Sequence, residues 1–286
     1  MLDSRQLRPW LRAALHEDLG RGDVTSSLLP PGKRIHATVI AKAPGIVAGI
    51  PVAALTFQTL DRAIHITPAA RDGAKVHPGQ ALLQLDGSAR TILAAERTAL
   101  NLLGHLSGIA TLTRQYVDLV PKTVKILDTR KTTAGLRALE KYAVAAGGGK
   151  NHRFGLYDAV LIKTNHLKLL RRGPGGSGQA GAIRAAIANA RRAHPRLQLG
   201  IEVTTFTELQ AALAAKPDLI LLDNWPLTMM RTGVRVRGKA RRPLLEASGG
   251  VTLATVAAIA HTGVDRISVG RLTHSAPALD VSLQVQ

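Results

Sequence analysis

The chain has 286 residues, of which 45 % are hydrophobic and 20 % charged, an ordinary globular composition that excludes disorder for the bulk of it. It holds no cysteine, so disulfide scaffolds, thiol nucleophiles, iron–sulfur centres and Cys-ligated zinc are excluded. Lys and Arg number 38 against 19 Asp and Glu, a formal charge of +19, which points to an anionic partner: nucleic acid or a small, heavily charged substrate.

The opening stretch LDSRQLRPWLRAALHEDLG is amphipathic, with Leu7, Trp10, Leu11, Ala14 and Leu15 at helical spacing and no apolar core of the signal-peptide kind. Residues 43–60 are the longest uncharged run, but Pro44, Gly45, Gly49 and Pro51 interrupt it. It falls short of the ~20 apolar residues a membrane helix needs, so a soluble, cytoplasmic protein with no membrane partner is expected. Across residues 34–85 short strand-like runs alternate with Gly and Pro, which predicts a small sheet-rich module. Its segment DGAKVHPGQALLQLDG has the outline of a biotinyl or lipoyl hairpin. No Lys stands there between Met or Ala at a tight turn, and turn chemistry alone accounts for the pattern.

Residues 89–118 read as a long helix with Ile92, Leu93, Leu100, Leu103 and Leu106 on its apolar face. Beyond it, VKILD, DAVLIK, LGIEV, DLILLD, LLEAS and RISVG are each followed by a helical segment. Six strand–helix units predict a parallel sheet, and their number suggests a closed barrel rather than an open sheet. Barrels of this kind carry their chemistry at the C-terminal strand ends, where Asp128, Lys163, Glu202, Asp223, Ser248 and Gly270 fall. Two further segments have plainer readings. Residues 171–181 are Gly-rich and read as a flexible surface linker, and residues 231–242, basic without an acidic residue, as a solvated face.

The densest segment is DTRKTTAGLRALEKYAVAAGGGKNHRFGLYDAVLIKTNH, which supplies Arg130, Lys131, His152, Arg153 and Lys163. If Asp128 and Lys163 end neighbouring strands, these groups converge on one rim, where forked guanidinium groups suit carboxylates and phosphates. Glu202 and Asp223 add two carboxylates at successive strand ends. They suit a hard cation such as magnesium, or else each pairs with a basic neighbour. Ser248, Gly249 and Gly250 open a helix, and Val269, Gly270 and Arg271 form the next strand-end turn; paired turns of this type grip a phosphate. There is no Walker A sequence and no strand-borne G-x-G-x-x-G, so nucleotide hydrolysis and dinucleotide binding have no support. The site calls for carboxylate- and phosphate-rich substrates, a metal, no organic cofactor and no covalent nucleophile.

The stretches HEDLGRGDVTS, AERTALNLLGHLSGIATLT, the long central segment, IEV, LLDN, LEASGGV and RISVGRLTHS run in order from residue 16 to 275. In them the chain resembles the quinolinate phosphoribosyltransferases, also called carboxylating nicotinate-nucleotide pyrophosphorylases. The resemblance implies an N-terminal α/β sandwich over residues 1–112, joined by the tail 276–286, and an incomplete α/β barrel over 113–275. It implies phosphoribosyl transfer from phosphoribosyl pyrophosphate to quinolinate with loss of carbon dioxide, in a homodimer or larger assembly. By this likeness Thr129, Arg130, His152, Arg153 and Lys163 bind quinolinate, and Arg97 reaches across into the partner's site. Lys131, Glu202, Asp223, residues 248–250 and 269–271 would bind the phosphoribosyl donor, with Glu202 and Asp223 facing magnesium, directly or through water. Lys131, Lys163, Glu202 and Asp223 are the implied catalytic set.

Three positions depart from the family pattern. Thr164 stands where the family usually has Asp, Thr204 where an acidic residue is common, and Arg271 where a small residue is expected. The first two make the site more basic. The competing readings are a paralogue of the same fold linked to molybdenum transport, with a different acceptor, and a basic nucleic-acid-binding protein. The intact central motif speaks against the first. The second lacks a helix–turn–helix or other reading element, and 3 % aromatic residues leave few stacking platforms.

Overall fold

The computed structural model describes residues 3–171, 178–240 and 242–286, which fall into two compact units. The first comprises Met1–Arg114, Thr132–Gly148 and Leu272–Gln286, and the second Gln115–Lys131 and Gly149–Arg271. Most of the Gly-rich segment expected as a linker, residues 172–177, lies outside the described residues, as does residue 241 of the basic run. Among the described residues no helix is long and apolar enough to cross a membrane.

The chain begins with α1 (Ser4–Leu19), which buries Leu11 and Leu15. Asp3 caps it by accepting from the Arg5 amide at 2.8 Å. There follow β1 (Arg34–Ala41), β2 (Gly45–Ile46), α2 (Ile50–Leu60), β3 (His65–Pro68), β4 (Lys75–Val76) and β5 (Ala81–Ser88). Next comes the 30-residue helix α3 (Ala89–Asp118), spanning the residues its apolar spacing predicts. Then come β6 (Lys125–Leu127), α4 (Arg137–Ala146), β7 (Ala159–Ile162), α5 (Thr164–Arg171), α6 (Gly178–Ala193), β8 (Gln198–Val203) and α7 (Phe206–Ala215). The remainder is β9 (Leu219–Asp223), α8 (Leu227–Arg237), β10 (Leu244–Ser248), α9 (Leu253–Ala260), β11 (Arg266–Ser268), α10 (Arg271–His274) and β12 (Val281–Val285).

In the first unit an antiparallel sheet runs in the order β12-β1-β5-β3, beside a small β2-β4 ribbon. Alternation along β1 and β5 sends Ala37, Val39, Leu83 and Leu85 into a core with Leu15, Phe57, Ile92 and Leu103. The last strand, β12, is added to the edge of β1 by the chain's tail. Glycines of α3 make room for that tail: Leu279 donates to the Gly104 carbonyl at 2.9 Å. A Cβ on Gly108 would lie 2.0 Å from the Pro277 carbonyl oxygen.

The second unit is built on a six-stranded parallel sheet, β6-β11-β10-β9-β8-β7, with all ladders parallel. Its strands are nearly continuous apolar runs, Leu199, Ile201, Ile220, Leu222, Leu245 and Ile267 all being buried, as a sheet covered on both faces requires. The expectation of a closed barrel is corrected here. Strands β6 and β7 are the two edges of the sheet, and the barrel is left incomplete, as the family resemblance implies. The reason lies between them. Residues 132–148 belong to the first unit, and the returning chain makes a single parallel bridge, Leu127 with Lys150, before turning away.

Aspartates clamp the N-terminal ends of these strands. Asp218 accepts from the Leu199 amide at 2.8 Å and pairs with Arg191 at 3.0 Å. Asp265 accepts from the Leu245 amide at 2.8 Å and pairs with Arg237. Each satisfies a backbone donor that the ladder leaves over and fixes one strand's register to the next.

Candidate active site

The opposite, C-terminal ends carry the polar residues. Asp223 ends β9 and pairs in register with Ser248 at the end of β10, while Ile162, just before Lys163, pairs with Ile201, just before Glu202. Asp128 follows β6, where the Val269 amide, just past β11, donates to the Leu127 carbonyl at 2.8 Å. The six residues that the strand pattern placed at strand ends therefore lie along one edge. Asp128 and Lys163 do not, however, end neighbouring strands. Segment 150–159 connects them: the His152 amide donates to Asp128 at 2.8 Å, and an Arg153 Nη donates to the Ala159 carbonyl at 2.9 Å.

Two groups form along this edge. In the first, Arg153 is held below the ordinary guanidinium range, chiefly by burial and then by the positive charge of Arg130 beside it; Asp158 opposes both. Two half-buried guanidinium groups that repel one another have the charge and the forked donors that suit an anion with more than one carboxylate. The Asp158 carboxylate resists burial, yet the Phe154 and Gly155 amides and the Arg153 charge hold it below the usual range. Those two hydrogen bonds, at 2.6 and 2.9 Å, shape the turn that follows Arg153. Thr129 lies next to this group, its hydroxyl accepting from the Lys131 amide at 3.0 Å.

In the second group, Asp223 is raised above the usual carboxylate range, first by burial and then by the Glu202 charge, while Asn224, Lys163 and Lys131 pull the other way. The other three residues expected to be catalytic thus all act electrostatically on Asp223. Glu202 is aimed by Thr164, whose hydroxyl donates to it at 2.7 Å and whose amide donates at 3.3 Å. Sequence reasoning marked Thr164 only as a departure; its partner emerges from the register of β7 on β8. Among the described residues no group of three or more His, Asp or Glu is disposed to hold a metal by itself. A pair of carboxylates suits a magnesium ion that arrives with phosphate and water ligands of its own.

The two glycine-bearing turns expected from the sequence are also formed. Gly249 and Gly250 have φ of 96° and 58°, and a Cβ on Gly249 would meet the Asn224 side chain at 2.1 Å. Asn224, itself at φ 55°, donates its amide to the Ser248 carbonyl at 2.8 Å, so the two loops are joined. Val269 is buried, Gly270 follows it, and Arg271 is exposed beside the Tyr116 phenol, which burial raises above its usual range. Arg97 is exposed on α3 in the first unit and is not among the strand-end residues. Two buried acids that the motif reading passed over also lie near this edge: Glu208 accepts from the Thr204 amide at 2.7 Å, and Glu246 lies 3.4 Å from His152.

An open parallel α/β barrel with cations, two carboxylates and glycine turns at its C-terminal edge defines an enzyme for polyanionic, phosphate-bearing substrates. The two domains of quinolinate phosphoribosyl transferase match the chain in order, the N-terminal domain over residues 23–107 and the C-terminal domain over 109–284. The chain is 43 % identical over 284 residues to a carboxylating nicotinate-nucleotide pyrophosphorylase of Mycobacterium leprae, covering 97 % of this chain and 96 % of that one. It is 40 % identical to a decarboxylating quinolinate phosphoribosyltransferase of Nicotiana glauca, covering 98 % of this chain and 82 % of that one. The crystal structure of the nicotinate-nucleotide pyrophosphorylase from Francisella tularensis superposes with a TM-score of 0.90 at 38 % identity, covering 100 % of this chain and 98 % of that one. The chain belongs to the quinolinate phosphoribosyltransferase family.

Proposed function

We propose that this protein transfers phosphoribosyl from phosphoribosyl pyrophosphate to quinolinate, releasing pyrophosphate and carbon dioxide and forming nicotinate mononucleotide for NAD biosynthesis. The observation that carries the reading is the division of the strand-end residues. The Arg130–Arg153 pair suits a dicarboxylate, and the Lys131, Lys163, Glu202 and Asp223 group beside the glycine turns suits a phosphorylated sugar.

The bond from ribose C1 to pyrophosphate breaks with its electron pair leaving on oxygen, and Glu202 and Asp223 stabilise the cationic sugar that develops. The pyridine nitrogen gives its lone pair to C1 and becomes cationic. The neighbouring carboxylate then departs as carbon dioxide, the ring takes up its bonding electrons, and a proton replaces it on carbon. Arg130, Arg153 and Lys163 orient the carboxylates, and Lys131 and Lys163 offset the phosphate charge. Glu202 and Asp223 would hold, directly or through water, a magnesium ion brought by the donor, which would supply positive charge for the leaving pyrophosphate. The working form is a cytoplasmic dimer in which Arg97 completes the partner's site. Incubation with quinolinate, phosphoribosyl pyrophosphate and magnesium should yield nicotinate mononucleotide and carbon dioxide only when all three are present. No product from a folded protein that still binds the donor would overturn quinolinate as acceptor.

A further inference from the structure

Glu246 stands in the middle of β10, between Leu221 of β9 and Arg266 of β11, with a side chain that has no solvent exposure. One carboxylate oxygen lies 3.4 Å from His152 Nε2 and the other 3.1 Å from Arg266 Nε. Neither oxygen makes a hydrogen bond of normal geometry. A buried carboxylate held so loosely is an expensive way to fill a strand position that leucine could occupy, which directs attention to what it touches.

His152 is itself fixed on several sides. Its Nδ1 lies 2.7 Å from the Arg153 amide nitrogen. An amide can only donate, so Nδ1 carries no proton and the ring's hydrogen is on Nε2, facing Glu246. The His152 backbone amide is held by the buried Asp128. The charged groups around this ring include Glu246, Arg266, Asp128 and Arg153, with Arg130 beyond Arg153. Both ring nitrogens are directed at the chain: one at Glu246, the other at the residue that carries the acceptor-facing guanidinium.

We propose that Glu246 is a positioning residue which, by orienting the His152 ring, fixes Arg153 against the carboxylates of the acceptor. The inference rests on the reading of the Arg130–Arg153 pair as the quinolinate site.

The test uses the full chain with wild type in parallel. Glu246→Gln keeps the volume and should raise the KM for quinolinate about tenfold, leaving kcat and the KM for phosphoribosyl pyrophosphate within about twofold. The Glu246→Gln/His152→Ala double variant should have the same quinolinate KM as His152→Ala alone, because both act through one path. An unchanged quinolinate KM in folded Glu246→Gln, equal losses for both substrates, or multiplied effects in the double variant would each overturn the proposal. Wild type inactive with quinolinate would instead overturn the underlying reading of the site. Should Glu246→Gln not fold, wild-type protein with 15N-labelled histidines decides. His152 is expected to carry its proton on Nε2, facing Glu246; a proton on Nδ1 would exclude the hydrogen bond from the Arg153 amide and end the proposal.

Discussion

Burial and the neighbouring Glu202 charge both press Asp223 toward its protonated form, against Asn224, Lys163 and Lys131. A carboxylate whose folded pKa is raised binds its proton more readily in the folded chain than in the unfolded one. Its ionised form therefore costs stability at neutral pH, and the cost disappears as pH falls below the ordinary carboxylate range. Asp223→Asn should accordingly raise the Tm in magnesium-free buffer at neutral pH while lowering kcat by about 10²–10³-fold, the scale of losing one electrostatic contact to a developing charge. Calorimetry and steady-state kinetics on the same preparation check both halves. A lower Tm would make Asp223 a structural residue. The other departures from the family pattern also find partners at this scale. The Thr204 amide and hydroxyl donate to Glu208 at 2.7 and 2.9 Å, and Arg271 lies beside Tyr116. Each substitution was plain in the sequence, but its partner depends on which strand lies alongside.

Helix α7 shows how one of these residues works on an element. The Thr205 hydroxyl accepts from the Glu208 amide at 3.2 Å, and the Glu208 carboxylate turns back to Thr204 and Gln179. Burial alone would raise Glu208, but these donors outweigh it and hold the carboxyl below its usual range. A lowered pKa contributes stability that is present above the unfolded value of about 4.5 and lost as pH falls through the folded value. Glu208→Gln should thus cost about 1–3 kcal/mol in urea unfolding at neutral pH, and the difference from wild type should shrink below pH 4. A cost independent of pH would show that the charge is not what matters. On α3, Gly108→Ala would drive a methyl group into the Pro277 carbonyl, and overpacking of that kind costs about 1–3 kcal/mol. Thermal unfolding should show the loss. The spacing of Gly104 and Gly108 is visible in the sequence; that the chain's tail lies against them is not.

At the scale of the whole molecule, the proposed dimer makes a test that no single residue offers. If Arg97 completes the partner's site, chains carrying Arg97→Ala and Lys163→Ala should each be nearly inactive, while randomly mixed dimers regain about a quarter of wild-type activity. Absence of recovery in dimers shown to be mixed would rule out a shared site. Much of this organisation was legible in the chain alone. Alternating apolar runs and helical segments marked each strand of the parallel sheet, because burial on both faces demands continuous apolar sequence. The polar residue at the end of each run marked the functional edge, because strand ends are where side chains leave the core. Cysteine content, net charge and the glycine turns bounded the chemistry for the same local reasons. Closure of the sheet was not legible, since it depends on whether β6 and β7 meet, and the chain between them lends residues 132–148 to the other unit. Nor were the pairings of Glu246 with His152, Thr164 with Glu202, and Asn224 with the Ser248 loop. Periodicity and composition are properties of neighbours along the chain and survive in the sequence. Which buried acid faces which base is set by register between strands distant in sequence, and only the packed fold decides it.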